Sequence, residues 1–564
     1  MTAASPAAAP KKRLIERLLY GQGVDRETKS RARVGLVILG FACIYMIISG
    51  RLVYLAATSD GQNTRRGGGD IVATARPDIV DRNGRLLATD VGVHSLYADP
   101  RLIIDLDEVV EKISGVLPGV DADELRRSLS DRNRRFAWIS RGLSPLQAQR
   151  VHALGLPGIA FRIELKRLYP LGPLAGHLLG TVNTDNKGMA GLERMLDETG
   201  RVEAVQGPGR TSKPPLRVSI DVGVQYALAE ELKQASIRYT ASAAAGLVLD
   251  VLSGEIIAGV SLPEVHPPRP AEWLDAARAD RLMAGTYELG SIFKTVTVAM
   301  ALEGGTSDLD KIYDVRQPIV VGAYTIKDPY PQGRPLTVRE IFLHSSNVGA
   351  GMLALELGAE RQRAFLARLG LMESMRTEAG PVAAPQLPAR WGKIETITVG
   401  YGHGLAVAPL QFAAAVAALV NGGTKVTPTL LAKVEPGSHG ERLVAADTSA
   451  KLREIMRLNV TNAHGTGRHA DAEGYRVGGK TGTAEMPGRG GYQEKSVISS
   501  FVGAFPMDAP RYVILVSLFE PQSGEGGAGR ITAGVNAAPA TARLVERIAP
   551  LLGVLPRGAA VNQP

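Results

Sequence analysis

The chain has 564 residues, and its 45% hydrophobic and 21% charged side chains suffice for several folded cores, which excludes a globally disordered protein. Length alone indicates about three or four domains. The formal net charge is +9, but residues 1–33 hold eight basic and three acidic side chains, so little excess charge remains elsewhere. A nucleic-acid-binding protein usually carries its positive charge on a folded domain, and this distribution argues against that class.

Cysteine and histidine usage argues against redox and metal centres. The one cysteine, Cys43, excludes an internal disulfide, a cysteine-rich zinc site and an iron–sulfur cluster. Two of the nine histidines, His464 and His469, lie five residues apart, which is not the one-turn spacing that places two metal ligands on one helix face. We therefore expect neither a metal ion nor an organic cofactor.

An apolar segment near the N-terminus, residues 34–56, has the length and composition of a transmembrane helix. It opens with seventeen uncharged residues, and Arg51 is close enough to one end to reach the lipid headgroups. A buried core helix and a signal peptide are the alternatives. The long basic segment before the span and the lack of a small-x-small cleavage site after it disfavour the signal peptide. Basic residues are concentrated before the span, which predicts a cytoplasmic tail at 1–33 and an exported part at 57–564.

The first part of the exported segment has an uneven composition. Residues 57–70 are polar and glycine-rich and predict a stalk, and a charge-rich stretch with short apolar runs then extends to about residue 205. The Gly, Pro and Lys content of residues 200–218 is typical of a linker or of extended strands. At the other end of the chain, residues 555–564 predict a loose tail.

From about residue 219 the sequence is apolar and rich in Ala, Gly and Val, and it predicts an α/β sandwich. Two pairs of β-rich runs flank turns and indicate hairpins, one at 245–261 around Ser253-Gly254 and one at 499–520. Strands at both ends with helices between them predict an antiparallel sheet packed by helices. The predicted helices are 291–303, 407–420 and 537–552.

Ser291 and Lys294 form a Ser-x-x-Lys pattern at the start of a predicted helix, just after Gly290. Three residues along a helix turn by about 300° and rise by about 4.5 Å, so the two side chains lie on one face within reach of each other. A serine hydroxyl is a weak nucleophile, and a desolvated neutral lysine can take its proton. The same pattern arises by chance in most chains of this length, so the pair alone does not identify a catalytic site.

Two further short motifs follow the serine–lysine pair. Ser345-Ser346-Asn347 would place a second hydroxyl and an amide in the same pocket, although in isolation a helix cap or turn is the simpler explanation. Lys480-Thr481-Gly482-Thr483 lies 135 residues beyond Ser345. A strand edge of small residues lets an extended peptide pair with its backbone, and the lysine and hydroxyls would hold a carboxylate. An ordinary polar turn is the alternative here.

The three motifs together, in this order and context, resemble those of the penicillin-recognising serine acyltransferases. The wider sequence is similar to the class B penicillin-binding proteins, which are membrane-anchored peptidoglycan D,D-transpeptidases. Residues 287–294 resemble that family's Tyr-Glu-Pro-Gly-Ser-x-x-Lys, with Leu289 in place of proline. Residues 76–88 resemble the motif of its pedestal domain, with Pro77 in place of glycine. Both departures lie outside the catalytic side chains and concern only local backbone shape. Further matching segments are 167–170, 191–193, 219–221, 401–411 and 500–503.

The resemblance implies the penicillin-binding transpeptidase fold at 216–554, an α+β pedestal (dimerisation-type) domain at 57–215, and one transmembrane helix. Ser-Ser-Asn-Val-Gly at 345–349 and Ala-Leu-Glu at 301–303 are typical of the family's division branch, whereas the elongation branch more often has aspartate at the third position of the second motif. The chain is therefore expected to cross-link septal peptidoglycan during bacterial cell division. Its expected location is the inner membrane, with the catalytic domain in the periplasm.

The resemblance also implies roles for the acyl-transfer residues. Ser291 is expected to attack the penultimate D-Ala of a pentapeptide stem, with Lys294 as its general base. Ser345 and Lys480 would pass a proton to the departing D-Ala amine, and Asn347 would orient Lys294. Backbone N–H groups of Ser291 and Thr483 would hold the oxyanion.

Substrate and partner contacts follow from the same resemblance. Lys480, Thr481, Gly482 and Thr483 are expected to bind the terminal carboxylate of a stem peptide or of a β-lactam antibiotic. The other expected partners are the lipid bilayer, a multi-pass septal glycan polymerase and further divisome membrane proteins. No nucleic acid and no cofactor are expected.

Two other classes of protein share these motifs. A β-lactam hydrolase or antibiotic sensor would carry all three, but the sequence has no Glu-x-x-x-Asn element to activate a deacylating water, and a pedestal would be superfluous. A structural division protein with a lapsed active site is the other alternative. The intact motifs argue against it.

Overall fold

A computed structural model describes residues 26–58, 72–206, 213–433, 440–488, 491–522 and 531–557. Residues 1–71 and residues 72–564 form two units. Most of the predicted tail at 1–33, of the predicted stalk at 57–70 and of the predicted tail at 555–564 lies outside the described residues.

The first unit contains one long helix, α1 (Arg26–Thr58). Its window Val34–Arg51 has a mean hydropathy of 2.0 and is long and apolar enough to cross a membrane. The helix begins eight residues before the predicted span, because the Arg, Lys and Glu residues there are good helix formers.

The elements of the second unit divide at about residue 217. Before it lie helices α2 (Leu106–Val116), α3 (Ala122–Leu129), α4 (Pro145–His152), α5 (Gly176–Leu179) and α6 (Gly191–Glu198). The strands of this part are β1 (Val72–Ala75), β2 (Ile79–Val80), β3 (Leu86–Ala98), β4 (Ala137–Leu143), β5 (Ile159–Leu168), β6 (Glu203–Gln206) and β7 (Leu216–Arg217). Residues 200–218, predicted as a linker or strands, thus contribute β6 and β7.

The later part is larger and more helical. Its helices are α7 (Val222–Tyr239), α8 (Pro270–Trp273), α9 (Lys294–Glu303), α10 (Val338–His344), α11 (Asn347–Leu357), α12 (Ala359–Arg368), α13 (Lys393–Gly400), α14 (Pro409–Val420), α15 (Ala446–Thr461) and α16 (Ala537–Leu551). Its strands are β8 (Ala243–Asp250), β9 (Ile256–Leu262), β10 (Ile312–Tyr313), β11 (Ile319–Val321), β12 (Tyr324–Ile326), β13 (Leu336–Thr337), β14 (Arg376–Thr377), β15 (Gly380–Pro381), β16 (Gly478–Gly488), β17 (Gly491–Phe505) and β18 (Tyr512–Phe519).

A five-stranded antiparallel sheet of order β16-β17-β18-β8-β9 forms the centre of this part. Both predicted hairpins are present, as β8–β9 and β17–β18, and pairing of β8 with β18 joins them into one sheet. Strand β17 begins eight residues before the predicted run, because it continues alongside β16. The predicted antiparallel sheet packed by helices is confirmed.

Helices cover both faces of this sheet, which explains why strands β8, β9 and β18 are buried along their whole length rather than at alternate residues. On one face, Val248 and Val516 pack with the core that contains α7 and α16. On the other, Leu247 and Leu515 pack with the core that contains α9 and α14. Strand β16 lies at the edge of the sheet, so its outer side is available to a ligand.

The earlier part is built on β3, which pairs with β2, β4 and β5, while β2 and β7 run parallel. Helices α2, α3 and α4 pack on this sheet around a separate apolar core that includes Val109, Ile113 and Leu125.

A buried ionic network joins three of the motif segments in the earlier part. Glu193, at 0% exposure, accepts hydrogen bonds from Arg76 Nε and Arg167 Nε, both at 2.7 Å. Arg167 also contacts Asp90 at 3.2 Å and donates to the Pro77 carbonyl at 2.9 Å. Burying two guanidinium groups is tolerated only because these carboxylates and carbonyls pair with them.

The two parts of this unit meet at a polar turn. Asp81 Oδ2 accepts from the backbone N–H of Val222 at 3.2 Å, and Asn83 Nδ2 donates to Asp221 Oδ2 at 2.9 Å. The backbone N–H of Arg82 donates to the Ile220 carbonyl at 3.0 Å. Segments 76–88 and 219–221, matched separately in the sequence, therefore form one contact.

Replacing the central carboxylate of the ionic network should destabilise the protein strongly. Glu193→Gln removes the one charge between two buried guanidinium groups, and breaking such a pair costs about 3–5 kcal/mol. We expect the urea unfolding midpoint, followed by circular dichroism, to fall accordingly. The matched control is Glu198→Gln, whose half-exposed carboxylate pairs with Arg194 at 3.2 Å and should contribute less than about 1 kcal/mol. Equal shifts for the two variants would contradict the network's structural role.

Candidate active site

Ser291 lies in a 3-10 turn, Gly290–Phe293, that leads directly into α9. The predicted helix at 291–303 therefore exists, with a tighter first turn. Gly290 has φ +56°, and a Cβ added to it would lie 3.0 Å from the Thr483 carbonyl oxygen, so glycine is required there. Its N–H donates to the Gly402 carbonyl at 3.1 Å, which fixes the serine turn against that loop.

The Lys294 amine lies at the centre of the site and is 1% exposed. Its Nζ is 2.9 Å from Ser291 Oγ, 2.6 Å from the Ser345 carbonyl oxygen and 2.7 Å from Asn347 Oδ1. It also lies 3.1 Å from Ser345 Oγ. The first two motifs thus converge on one nitrogen.

The environment of this amine favours its neutral form. Burial, followed by the charge of Lys480, lowers the pKa of Lys294 well below its usual range, and Asp328 opposes this shift only in part. A neutral amine has two N–H bonds and one lone pair. The Ser345 carbonyl and Asn347 Oδ1 can only accept, so they take the two N–H bonds and leave the lone pair for a serine hydroxyl.

Ser345 adopts a strained backbone conformation between two helices. Helix α10 ends at His344, and Ser345 follows it as the C-cap. Ser345 has φ +58° and ψ +41°, a left-handed conformation that costs a non-glycine residue about 1–3 kcal/mol. Ser346 Oγ then accepts from the Gly349 N–H at 2.8 Å and caps α11. Ser346 is thus a helix cap, while Ser345 and Asn347 contact Lys294.

Asp328 is a buried carboxylate at this site that the sequence analysis missed. Its Oδ2 accepts from Ser346 Oγ at 2.7 Å, and its Oδ1 accepts from the Val348 N–H at 2.9 Å. It therefore fixes the turn that presents Ser345 and Asn347. No spacing rule connects Asp328 to that motif, so no sequence signal could have found it.

Lys480 is a second fully buried lysine, and it reaches the site from strand β16. Its Nζ donates to Ser345 Oγ at 3.0 Å, to the Thr481 carbonyl at 3.1 Å and to Thr466 Oγ1 at 3.4 Å. Burial lowers the pKa of Lys480 to about 7. Ser345 Oγ therefore lies between the two lysine amines.

The remaining residues of the third motif lie on the other face of β16. Because side chains alternate along a strand, Lys480 points into the site while Thr481 and Thr483 line the open cleft. A Cβ on Gly482 would lie 2.7 Å from the Leu289 carbonyl oxygen, so only glycine allows the strand to approach the serine turn. Thr483 Oγ1 accepts from the Ala533 N–H at 3.1 Å.

The cleft has a volume of about 730 Å³, which suits a peptide segment, and Ser291, Ser345, Asn347, Thr481, Gly482 and Thr483 all line it. Within the described ranges, no group of three or more His, Cys, Asp or Glu side chains could hold a metal ion.

Thr466 and Asn459 were also missed by the sequence analysis. Thr466 lines the cleft and contacts Lys480, and Asn459, at 0% exposure, donates from Nδ2 to the Gly479 carbonyl at 2.8 Å. The glycines on both sides of Thr466 were the only available signal, since they indicate a tight loop.

Comparison with protein families agrees with this geometry. The family model described as the penicillin binding protein transpeptidase domain matches residues 244–538, and that described as the penicillin-binding protein dimerisation domain matches residues 71–202.

Individual relatives extend over almost the whole chain. A probable peptidoglycan D,D-transpeptidase FtsI of Caulobacter vibrioides is 38% identical over 94% of this chain and 90% of its own length. The probable peptidoglycan D,D-transpeptidase PenA of Neisseria gonorrhoeae is 31% identical over 91% and 92%. Peptidoglycan D,D-transpeptidase FtsI of Escherichia coli K12 is 29% identical over 82% of each chain.

A solved structure shows the same fold. The crystal structure of a peptidoglycan synthetase from Bifidobacterium adolescentis superposes with a TM-score of 0.67 at 24% identity, covering 86% of this chain and 96% of the other. With the family models and relatives, this places the chain among the penicillin-binding proteins: it belongs to the FtsI-like class B peptidoglycan D,D-transpeptidases.

Proposed function

We propose that Ser291 is the acylated nucleophile of a septal peptidoglycan transpeptidase and that Lys294 is its general base. The observation that carries this proposal is the 2.9 Å contact between Lys294 Nζ and Ser291 Oγ, made by a buried amine that forms no ion pair with a carboxylate of the described residues. A neutral amine in this position can accept the hydroxyl proton as the oxygen attacks a carbonyl carbon.

The first half-reaction then follows from the hydrogen bonds. The Ser291 proton moves to Lys294 Nζ while Oγ bonds to the carbonyl carbon of the penultimate D-Ala. Backbone N–H groups of Ser291 and Thr483 hold the oxyanion, and one such donor lowers the barrier by about 3 kcal/mol. The C–N bond breaks as Ser345 Oγ donates a proton to the leaving D-Ala amine and regains one from Lys480, 3.0 Å away.

The second half-reaction reverses these proton transfers. The amine of a neighbouring stem attacks the ester carbon, loses a proton through Ser345, and forms the cross-linking amide as Ser291 leaves with a proton. Lys294 supplies that proton and returns to its neutral form. Asn347 Oδ1, 2.7 Å from Nζ, holds the amine in place through both halves.

The edge strand would bind the carboxyl end of the substrate. An extended stem peptide pairs with the free edge of β16, as peptides do at exposed sheet edges. Thr481 and Thr483 then face its terminal carboxylate with two hydroxyls, and the buried Lys480 contributes its positive charge from the other face of the strand. Gly482 keeps the strand close to Ser291. The carboxylate of a β-lactam would occupy the same place.

We infer that the protein works at the division site from the outer side of the cytoplasmic membrane. Helix α1 would cross the bilayer with residues 1–33 in the cytoplasm, because basic residues are concentrated before the apolar window. Residues 57–215 would form a pedestal and 216–554 the transpeptidase domain. The pedestal and anchor would contact a multi-pass glycan polymerase and other division proteins, a role suggested by the relatives named FtsI.

The carboxylates of the cleft argue against a hydrolase. In the described part of the chain, Asp328 and Glu485 are the two acidic side chains that line it. Both oxygens of Asp328 are occupied by Ser346 and Val348, so this group is not available to activate a water. Slow deacylation, as a transpeptidase requires, is therefore expected.

The nucleophile can be tested on the full chain in detergent by intact mass spectrometry after incubation with benzylpenicillin. We expect the wild type to gain one penicilloyl group that persists for many minutes, and Ser291→Ala to gain none because the attacking oxygen is missing. An adduct on Ser291→Ala would contradict the assignment. Rapid loss of the wild-type adduct with turnover of the drug would favour a hydrolase, and no adduct at all would favour a structural division protein.

The need for a proton-accepting amine at position 294 can be tested by a substitution that keeps the charge. Arginine keeps a positive charge but does not release its proton in proteins, so Lys294→Arg should lower the benzylpenicillin acylation rate by about 10²–10⁴-fold. Lys480→Arg should also slow acylation, because an arginine there cannot return a proton to Ser345. Acylation of Lys294→Arg at the wild-type rate would contradict the base assignment.

A further inference from the structure

One end of the cleft carries basic groups that the proposed acyl transfer does not use. They lie on the segment that follows α15 and at the end of α10, and we refer to His344, His464, Arg468 and His469 as the basic rim. The two histidines whose spacing argued against a metal site belong to it.

Arg468 is the only arginine among the described residues that line the cleft, and no carboxylate in the described part of the chain lies within 4 Å of it. Its Nε donates to His469 Nε2 at 3.0 Å, and its Nη1 makes a long contact of 3.5 Å with the Ala463 carbonyl. A guanidinium has five N–H donors in a fork that matches a carboxylate. Three of the five therefore have no partner among the residues that the structure describes.

His469 holds Arg468 in place rather than adding charge. Burial and the charge of Arg468 lower the pKa of His469, so at neutral pH its ring is neutral and Nε2 can accept a hydrogen bond from Arg468 Nε. Burial also lowers the pKa of His344, assisted by Arg334 and His464 and opposed by Glu340.

The loop that carries His464, Arg468 and His469 is hydrogen-bonded to strand β16 through Asn459. Asn459 Oδ1 accepts from the N–H and the hydroxyl of Thr466, at 3.1 and 3.2 Å, while its Nδ2 holds the Gly479 carbonyl at 2.8 Å. Gly479 immediately precedes Lys480. Arg468 therefore lies two residues beyond Thr466, whose side chain contacts Lys480, and the hydrogen bonds of Asn459 fix the position of this loop.

Glu485, the acidic residue of β16 that lines the cleft, is distant from the basic rim along the strand. Lys480 contacts Thr466 of the loop that carries Arg468, whereas Glu485 lies five residues farther along β16, about 16 Å away at strand spacing. Glu485 makes no ion pair with Arg468. Asp328 is already occupied by Ser346 and Val348.

We propose that the basic rim, through Arg468, binds a carboxylate of a peptide stem other than the terminal D-Ala carboxylate. The proposal rests on the proposed function, in which Lys480, Thr481 and Thr483 take the terminal carboxylate. A stem peptide enters this cleft twice, first as the acyl donor and then as the amine acceptor. The second carboxylate belongs to one of these two peptides, and the half-reactions can be measured separately.

The test uses the full chain in detergent and compares wild type with Arg468→Gln. In the donor arm, D-Ala release is measured from D-Ala-D-Ala-terminated stem peptides whose internal carboxylates are free or amidated. In the acceptor arm, acyl transfer is measured to amine-bearing stem peptides whose carboxylates are free or amidated. In one arm, Arg468→Gln should lower kcat/KM for the carboxylate form by about tenfold and leave the amide form unchanged.

Control variants separate recognition from damage to the fold. Arg442→Gln removes an exposed arginine outside the cleft that donates to the Gly422 carbonyl, and it should change nothing. Arg468→Lys keeps the charge without the fork and should recover part of the loss. The tenfold effect should also shrink at high salt, because Arg468 is exposed.

The outcomes distinguish this proposal from the one on which it rests. A loss confined to the donor arm or to the acceptor arm supports the basic rim as a carboxylate site. It also identifies which of the two peptides carries that carboxylate. Equal losses for carboxylate and amide forms, or no loss in either arm, would overturn it. Benzylpenicillin acylation of Arg468→Gln should match wild type, and a tenfold fall there would assign Arg468 to the terminal carboxylate instead. If the wild type is not acylated, the proposed function itself fails.

Discussion

The active site depends on keeping a lysine amine neutral beside a serine hydroxyl. Taking an ammonium out of water is costly, and a protein avoids that cost by pairing the charge or by letting the proton leave. Lys294 is 1% exposed, and the oxygens in hydrogen-bond contact with its Nζ belong to a carbonyl, an amide and two hydroxyls rather than to a carboxylate. Lys480, also buried, adds a second positive charge nearby and makes protonation still less favourable.

The rest of the fold creates this environment. The central sheet places β16 at its edge, and Gly482 allows that strand to approach the serine turn so closely that no larger residue would fit there. Asp328 and the cap at Ser346 hold the turn that presents Ser345 to both lysines. The left-handed conformation of Ser345 costs stability, and it is maintained because helices α10 and α11 determine the chain path on either side.

Sequence reasoning predicted the parts of the site that are local and failed where the contacts are long-range. The serine–lysine pair follows from helix geometry, and the two hairpins follow from apolar runs around turns. Their joining through β8 and β18, which pairs residues 243–250 with 512–519, has no local signal. Asp328 could not be found for the same reason, since its contacts with Ser346 and Val348 arise only when α11 has folded against that loop. The motif segments at 76–88 and 219–221 were recognised separately, but their contact through Asp81 was not anticipated.

The most direct test of a neutral Lys294 is the pH profile of Ser291 acylation by benzylpenicillin, measured on the full chain between pH 5 and pH 10. Because burial and Lys480 lower the pKa of Lys294 well below its usual range, the account predicts a rate that falls on acidification below pH 7 and does not rise toward pH 10. Burial lowers the pKa of Lys480 to about 7, so loss of the proton that Lys480 returns to Ser345 should lower the rate on the alkaline side. A rate that rises about tenfold per pH unit from pH 7 toward pH 10 would mean that Lys294 keeps an ordinary lysine pKa. That result would contradict its role as the base.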